Sequence, residues 1–361
     1  MRIGWLSKMG NETQIADNDV TIIERNSEIL YIYDASMCNP NGDPDDENKP
    51  RMDYNQSVNL VSDVRLKRYI RDYLMDYKNV TIFVSKVGGK TVDATNRLRK
   101  LIEVNKEEIE ADEKLKDLFS KNKPNDKKLS EHLPWLLSKL VDVRFFGATM
   151  PLKSKVGKGA SITFTGPIQF NWGYSLNKVT GPMDSSTITS TFAGAGDDYS
   201  TMGKDYRLDY SLIAFHGIIS AKRAKHTSLT YEDIDLFDDA MIKAIPLEAT
   251  TRSKTGQYPR LYIRIEYKNP ELLLGDLRRY IKIVDREGKE MPFEDTSKLR
   301  SPDDYNLDLT KLCKKLEGFN DKILKIHFWK HDDLKIKGWD IKEGKIKNTE
   351  LAILSLPKQE T

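Results

Sequence analysis

A run of turn formers, Met37-Cys-Asn-Pro-Asn-Gly-Asp-Pro-Asp-Asp46, sits directly behind the aromatic, apolar stretch Glu28-Ile-Leu-Tyr-Ile-Tyr-Asp34. Asn-Pro, Asn-Gly and Asp-Pro steps impose φ values and local side-chain bonds that neither a helix nor a strand ladder tolerates. The stretch before them, rich in aromatic and β-branched residues, reads as a strand. The chain therefore leaves a sheet near residue 37 through a long irregular loop, and a helix can begin only well beyond it.

Helical periodicity starts at Ser57 and runs to Tyr77. Val61, Val64, Ile70, Tyr73, Leu74 and Tyr77 recur at that spacing, with Arg65, Lys67, Arg68 and Arg71 between them. A second strand is expected over Val80–Val84. Strand, helix, strand opens a split β-α-β domain. Residues 95–140, rich in Lys, Glu, Asp and Leu, read as two solvated helices inserted into it, because strand signals resume at Val143–Phe146 and Ser161–Phe164. Residues 181–205 form a Gly/Ser/Thr-rich stretch without a strong period. It is expected to be a loop, and loops of that length inside a domain tend to carry function. A strand at Leu212–Ile219, a helix at Tyr231–Ile245 capped near Thr230, and a strand at Arg260–Tyr267 follow. The fold class is α+β, in an order compatible with the ferredoxin-like sheet of RRM-type RNA binders.

Composition narrows the function. Lys+Arg 58 against Asp+Glu 55 leaves +3, so the chain is not uniformly basic, and any nucleic-acid surface comes from local segregation of its cations. Two cysteines, Cys38 and Cys313, build no disulfide framework. The N-terminal residues contain no apolar run, and no stretch is apolar over membrane-spanning length. A cytoplasmic protein without a membrane partner is expected.

Several segments could carry chemistry. Asp34, Asp43, Asp45, Asp46 and Glu47, with the amides of Asn39 and Asn41, are the donor types that Mg²⁺ or Ca²⁺ prefers. Counted from Asn39, the sixth residue is Pro44, so an EF-hand loop is excluded, and turn chemistry accounts for every residue. Arg65-Leu-Lys-Arg-Tyr-Ile-Arg71 suits an anionic backbone or, equally, a solvated face whose cations pair with Asp63 and Asp72. Lys153–Gly159, Ala221–His226 and Thr250–Gln257 add basic segments, the last mixing cations with hydroxyls and an amide as phosphate contacts do. Tyr69, Phe170, Trp172 and Tyr258 lie near these segments as stacking faces or core residues. His216, within an apolar strand, reads as a core histidine. Cys313, His327 and His331 lack the first cysteine pair of a zinc finger. No cofactor or metal is expected.

Asn39-Pro-Asn-Gly-Asp-Pro-Asp45, Pro50-Arg-Met-Asp53 and Val61–Arg71, then Arg144-Phe-Phe-Gly-Ala-Thr149, Thr165–Trp172 and Thr251–Gln257, stand in an order that resembles the backbone subunit of type I CRISPR Cascade complexes, closest to the I-B branch. The resemblance spans residues 28–268. It implies an RRM-like palm with inserted helical fingers and a thumb. The divisions are an extension over 1–27, palm over 28–86, 141–180 and 206–268, fingers over 87–140, a thumb loop over 181–205 and a C-terminal extension over 269–361. It also implies a non-catalytic subunit that stacks along crRNA with copies of itself, meets other Cascade subunits and presents the guide to target DNA. RNA contacts then fall on Asn39, Asn41, Arg51, Lys67, Arg68, Arg71, Arg144, Gln169, Trp172, Arg252, Ser253 and Lys254, and thumb positions on Thr187, Thr189, Phe192 and Met202. Related subunits of type III complexes cut RNA with a loop aspartate. The alternative reading is therefore a metal-dependent ribonuclease at Asp43 and Asp45. A third is a scaffold whose cations merely balance neighbouring acids.

Overall fold

The opening strand, Ser27–Cys38, is almost wholly buried, because it lies at the centre of the main sheet and is covered on both faces. Successive residues point to opposite sides of the pleat. Ile29, Tyr31, Tyr33 and Ala35 enter one apolar core, and Leu30 and Ile32 enter the other. A doubly covered strand reads as a continuous apolar run rather than an alternating one. The computed structural model describes residues 21–85, 93–120, 122–150, 161–183, 187–193, 200–339 and 350–354.

The fold is mixed α+β. The opening strand pairs antiparallel with Leu208–Ile219 on one side and Gln257–Tyr267 on the other. Beyond the latter come Ile323–Lys330 and, parallel to it, Glu350–Ile353. Beyond Leu208–Ile219 come Ile168–Phe170 and Gly173–Ser175, the latter continuing to Val58–Val61 and Met52–Asp53. Helices Asp63–Lys78 and Tyr231–Glu248 cover one face. Residues of the tail, including Leu277, Ile283, Leu299, Tyr305 and Leu312, cover the other.

The capping expectation holds at Thr230, which begins the second helix with a full capping box to Asp233. Other expectations are corrected. Val80–Val84 forms no strand, because Phe83 N and Val84 N donate to the Asp142 carboxylate at 2.7 and 3.1 Å instead of to a ladder. Val143–Phe146 is part of a short helix, Val141–Phe146, and pairing begins only at Gly147–Met150. Phe145 and Phe146 enter the core beneath the two covering helices while Val143 points into a separate cluster. The first helix begins at Asp63, after the strand Val58–Val61, and not at Ser57.

Residues 95–140 are more than solvated helices. Leu98, Leu101, Ile102, Ile109, Leu118, Leu129, Leu136 and Val143 bury one another in a core of their own. Residues 181–205 are not a plain loop either. Thr187–Ala193 pairs antiparallel with Ser200–Lys204, bringing Thr187 opposite Lys204 and Thr189 opposite Met202. Phe192 lies in the first arm. The β-branched residues Thr187, Ile188, Thr189 and Thr191 favour this pairing.

Candidate nucleic-acid interface

At the end of the sheet where the opening strand terminates, distant segments converge. Cys38 is buried and Asn39 N donates to Ser253 O at 2.8 Å. The Lys254 Nζ donates in return to Asn39 O at 2.6 Å, across 215 residues of sequence. Gly256 makes this approach feasible. It sits at φ +109, and a Cβ there would lie 2.3 Å from Ser36 O. The turn-forming loop folds back as a small hairpin, Gly42–Asp43 against Lys49–Pro50. Asn41 Oδ1 accepts from both the backbone N and the hydroxyl of Ser62 at 2.8 Å, fixing the loop to the N-cap of the first helix. Arg51 N donates to Asn41 O at 3.0 Å, and the Arg51 guanidinium lies 5.8 Å from the Trp172 ring. Trp172 is 45% exposed, a large aromatic face open to solvent beside a cation.

Asn39, Asn41, Arg51, Trp172, Arg252, Ser253 and Lys254 thus share one continuous rim. The other expected contacts lie along the first helix and beyond, and protein partners hold them. Lys67 donates to Asp63 and Gln169, both at 2.9 Å, with its ammonium over the Phe146 ring. Gln169 spends its amide on the carbonyls of Phe146 and Gly166. Arg68 pairs with Asp72 at 2.7 Å. Arg71, 8% exposed, pairs with Asp142 at 3.0 Å. Arg144 forms a bidentate pair with Asp233, both bonds 2.7 Å, and reaches the carbonyls of Leu137 and Ser138. Arg71 and Arg144 thereby tie the short helix Val141–Phe146 to the helices Asp63–Lys78 and Tyr231–Glu248. Ala221–His226 lies in the helix Ala221–Thr227, after the strand end opposite the rim. Lys153–Gly159 falls outside the described residues.

Two rim cations were not singled out among the sequence-derived contacts. The Arg65 guanidinium lies 3.9 Å above the centroid of buried Tyr69, whose hydroxyl accepts from Gln257 Nε2. Arg207 holds the crossing together, donating to Met37 O, Arg252 O and, twice, Asp205. The i, i+4 relation of Arg65 and Tyr69 was the one available signal for the first. Nothing local marks the second, since its partners come from three segments.

The acidic loop is occupied by cations. Asp43 pairs with Arg51 at 2.9 Å and Asp46 with Lys49 at 2.6 Å. Glu47 meets Lys204 and Tyr206 at the base of the hairpin. Asp34 is buried, accepting from Arg260 at 2.8 Å and Tyr210 at 2.9 Å, with burial raising its pKa above the ordinary carboxylate value. Among the described residues no group of three His, Cys, Asp or Glu side chains is placed to hold a metal ion. No described helix is long and apolar enough to cross a membrane. His216 is buried, 3.7 Å from Glu28, and burial lowers its pKa.

An α+β chain with this rim is a candidate RNA-binding subunit, and comparison with known proteins places it. The family model described as CRISPR-associated protein Cas7 matches residues 25–310. A CRISPR-associated protein Cas7 of Haloferax volcanii is 31% identical over 314 residues, covering 83% of this chain and 85% of that protein. The chain belongs to the CRISPR-associated Cas7 family. Among solved structures, a chain of a CRISPR RNA-guided surveillance complex in a pre-nicking state is 12% identical, covers 88% of this chain and 97% of its own, and superposes with a TM-score of 0.48. A second chain of a CRISPR RNA-guided surveillance complex is 12% identical and covers 87% of this chain and 95% of its own, with a TM-score of 0.38.

Proposed function

We propose that this protein is a non-catalytic guide-binding backbone subunit that assembles with copies of itself along crRNA, meets other Cascade subunits and presents the guide to target DNA. The observation that carries the reading is the rim. Two segments matching the Cascade backbone signature, Asn39–Arg51 and Thr251–Gln257, meet at the Cys38 end of the sheet; Trp172, at the close of a third, reaches them through Arg51, and Trp172 and Arg252 stay open to solvent. Backbone contacts from such a rim are independent of base sequence, as a subunit that accepts any guide requires. In this reading the sheet with its two covering helices is a ferredoxin-like palm. Residues 87–140 are the fingers, and 181–205 the thumb, with Thr187, Thr189, Phe192 and Met202 reaching the adjoining subunit. Asn39, Asn41, Arg51, Trp172, Arg252, Ser253 and Lys254 face the guide. Lys67, Arg68, Arg71, Arg144 and Gln169 support that face through their protein partners. A cytoplasmic location follows from the role.

The test is to express the chain with a guide source, purify it without nuclease and size both particle and protected RNA. Protein mass rising in step with RNA length is expected. An RNA-free monomer that ignores added guide would overturn the reading in favour of a scaffold. Against the ribonuclease alternative at Asp43 and Asp45 stands the Arg51 guanidinium, which already holds the Asp43 carboxylate.

A further inference from the structure

Most cations around the rim have a carboxylate within reach: Arg51 has Asp43, Arg207 has Asp205, Arg260 has Asp34. Arg65 has none among the described residues. Its guanidinium lies 3.9 Å over the Tyr69 ring centroid, and its Nε is buried without a hydrogen-bond partner. A planar cation pinned on an aromatic face has already lost the rotamer freedom that anion capture would cost it. Lys254 lies next to it. The amine donates to the carbonyl of Asn39, and burial, then the charge of Arg65, pulls its pKa down to about 8.

Among the described residues, the acids around this pair are bonded to other cations, and Asp205 touches Lys254 only through its field. On the opening strand, the Cys38 thiol is pushed up to about 12 by burial and stays neutral, while Asp34 is taken by Arg260 and Tyr210. On the segment after the hairpin, Asp205 accepts two bonds from Arg207 and also lies 4.0 Å from Arg252. The first helix contributes Tyr69, a neutral phenol. Two cations held side by side in a partly desolvated place, one with a buried unmet donor, form a site that lacks its anion.

We propose that Arg65 and Lys254 together hold one backbone phosphate of the guide, and that its arrival is accompanied by uptake of a solvent proton at the Lys254 amine. This rests on the guide-binding reading and adds a site and a proton to it. No covalent bond changes. The neutral fraction of Lys254 takes a proton from the buffer, and the phosphodiester anion holds the resulting ammonium beside the guanidinium.

The experiment is calorimetry of the full chain with a uridine homopolymer at pH 8 and at pH 6.5, each in two buffers of different ionisation enthalpy. Net uptake approaching half a proton per bound site is expected at pH 8, and close to none at pH 6.5. Lys254→Arg, whose guanidinium stays charged throughout, abolishes the uptake. Arg65→Gln lowers affinity roughly tenfold whatever the RNA sequence. RNA binding without proton uptake in the parent chain, or uptake that persists in Lys254→Arg, overturns the pocket and leaves the guide-binding reading standing. No binding of RNA at either pH overturns both.

Discussion

Replacing Lys254 by methionine should stabilise the free protein at neutral pH, even though it removes a rim cation. Folding moves this amine from an ordinary value of 10.5 to about 8, which corresponds to roughly 3 kcal/mol of stability withheld when the group is charged. Methionine fills the same stem but forfeits the bond to Asn39 O, about 1 kcal/mol. The net gain at pH 7 is about 2 kcal/mol. Its pH dependence is distinctive. Below pH 8 both folded and unfolded parent carry the proton, and the full deficit stands. Between pH 8 and 10.5 the unfolded chain binds the proton and the folded one releases it, so the parent gains stability as pH rises. The advantage of Lys254→Met therefore shrinks through that window and vanishes above it. Paired urea titrations of parent and variant at pH 7 and pH 10 read this directly, since the other groups titrate alike in both. A variant no more stable than the parent at pH 7, or a difference that ignores pH, would refute the reasoning.

Three other perturbations separate structural from functional residues. Asp142→Ala leaves Arg71 buried without its partner and two backbone N–H groups unmet, at a cost of about 3–5 kcal/mol; melting temperature should fall, and proteolysis should release residues 93–150 first. Gly256→Ala forces a side chain onto Ser36 O at φ +109 and should cost more than about 2 kcal/mol while loosening the 251–257 loop, measured as lost amide protection at Ser36 and Asn39. Asp43→Asn frees Arg51, so RNA affinity should rise and the log–log salt dependence steepen by up to about 0.7, with no Mg²⁺-dependent cutting by the parent chain to lose; cleavage that disappears in the variant would restore the ribonuclease reading.

Much of the fold was legible because it rests on strong local signals. The central strand announced itself by its aromatic and apolar run, and the helix at Tyr231 by its cap near Thr230, which the structure completes as a capping box. Failures fell where tertiary partners decide the outcome. Val80–Val84 has strand composition, yet a carboxylate 58 residues away takes the Val84 N–H and turns the segment into a joint. Val143–Phe146 has strand residues too. It coils into a helix because Val143 belongs to the core of the inserted helices while Phe145 and Phe146 belong to the core beneath the two covering helices. The hairpin at 187–204 was hidden by Gly and Ser, which blur a period of two.

The candidate site was legible in its members but not in their state. A basic run such as Arg65–Arg71 gives the same sequence whether its cations face solvent, a carboxylate or a phosphate. The structure divides the run by partner. Lys67, Arg68 and Arg71 meet Asp63, Asp72 and Asp142. Arg65, one turn earlier, meets an aromatic ring and no acid. Its neighbours across the rim are a lysine that burial has half discharged at pH 8 and a thiol that cannot serve as counterion. Charge that folding has not neutralised is costly to hold, and it persists only where something outside the chain compensates it. On that criterion the +3 of the whole chain says little about its partner. The few cations left without an acid at the end of the opening strand say much more, and they favour a polyanion threaded past that end of the sheet.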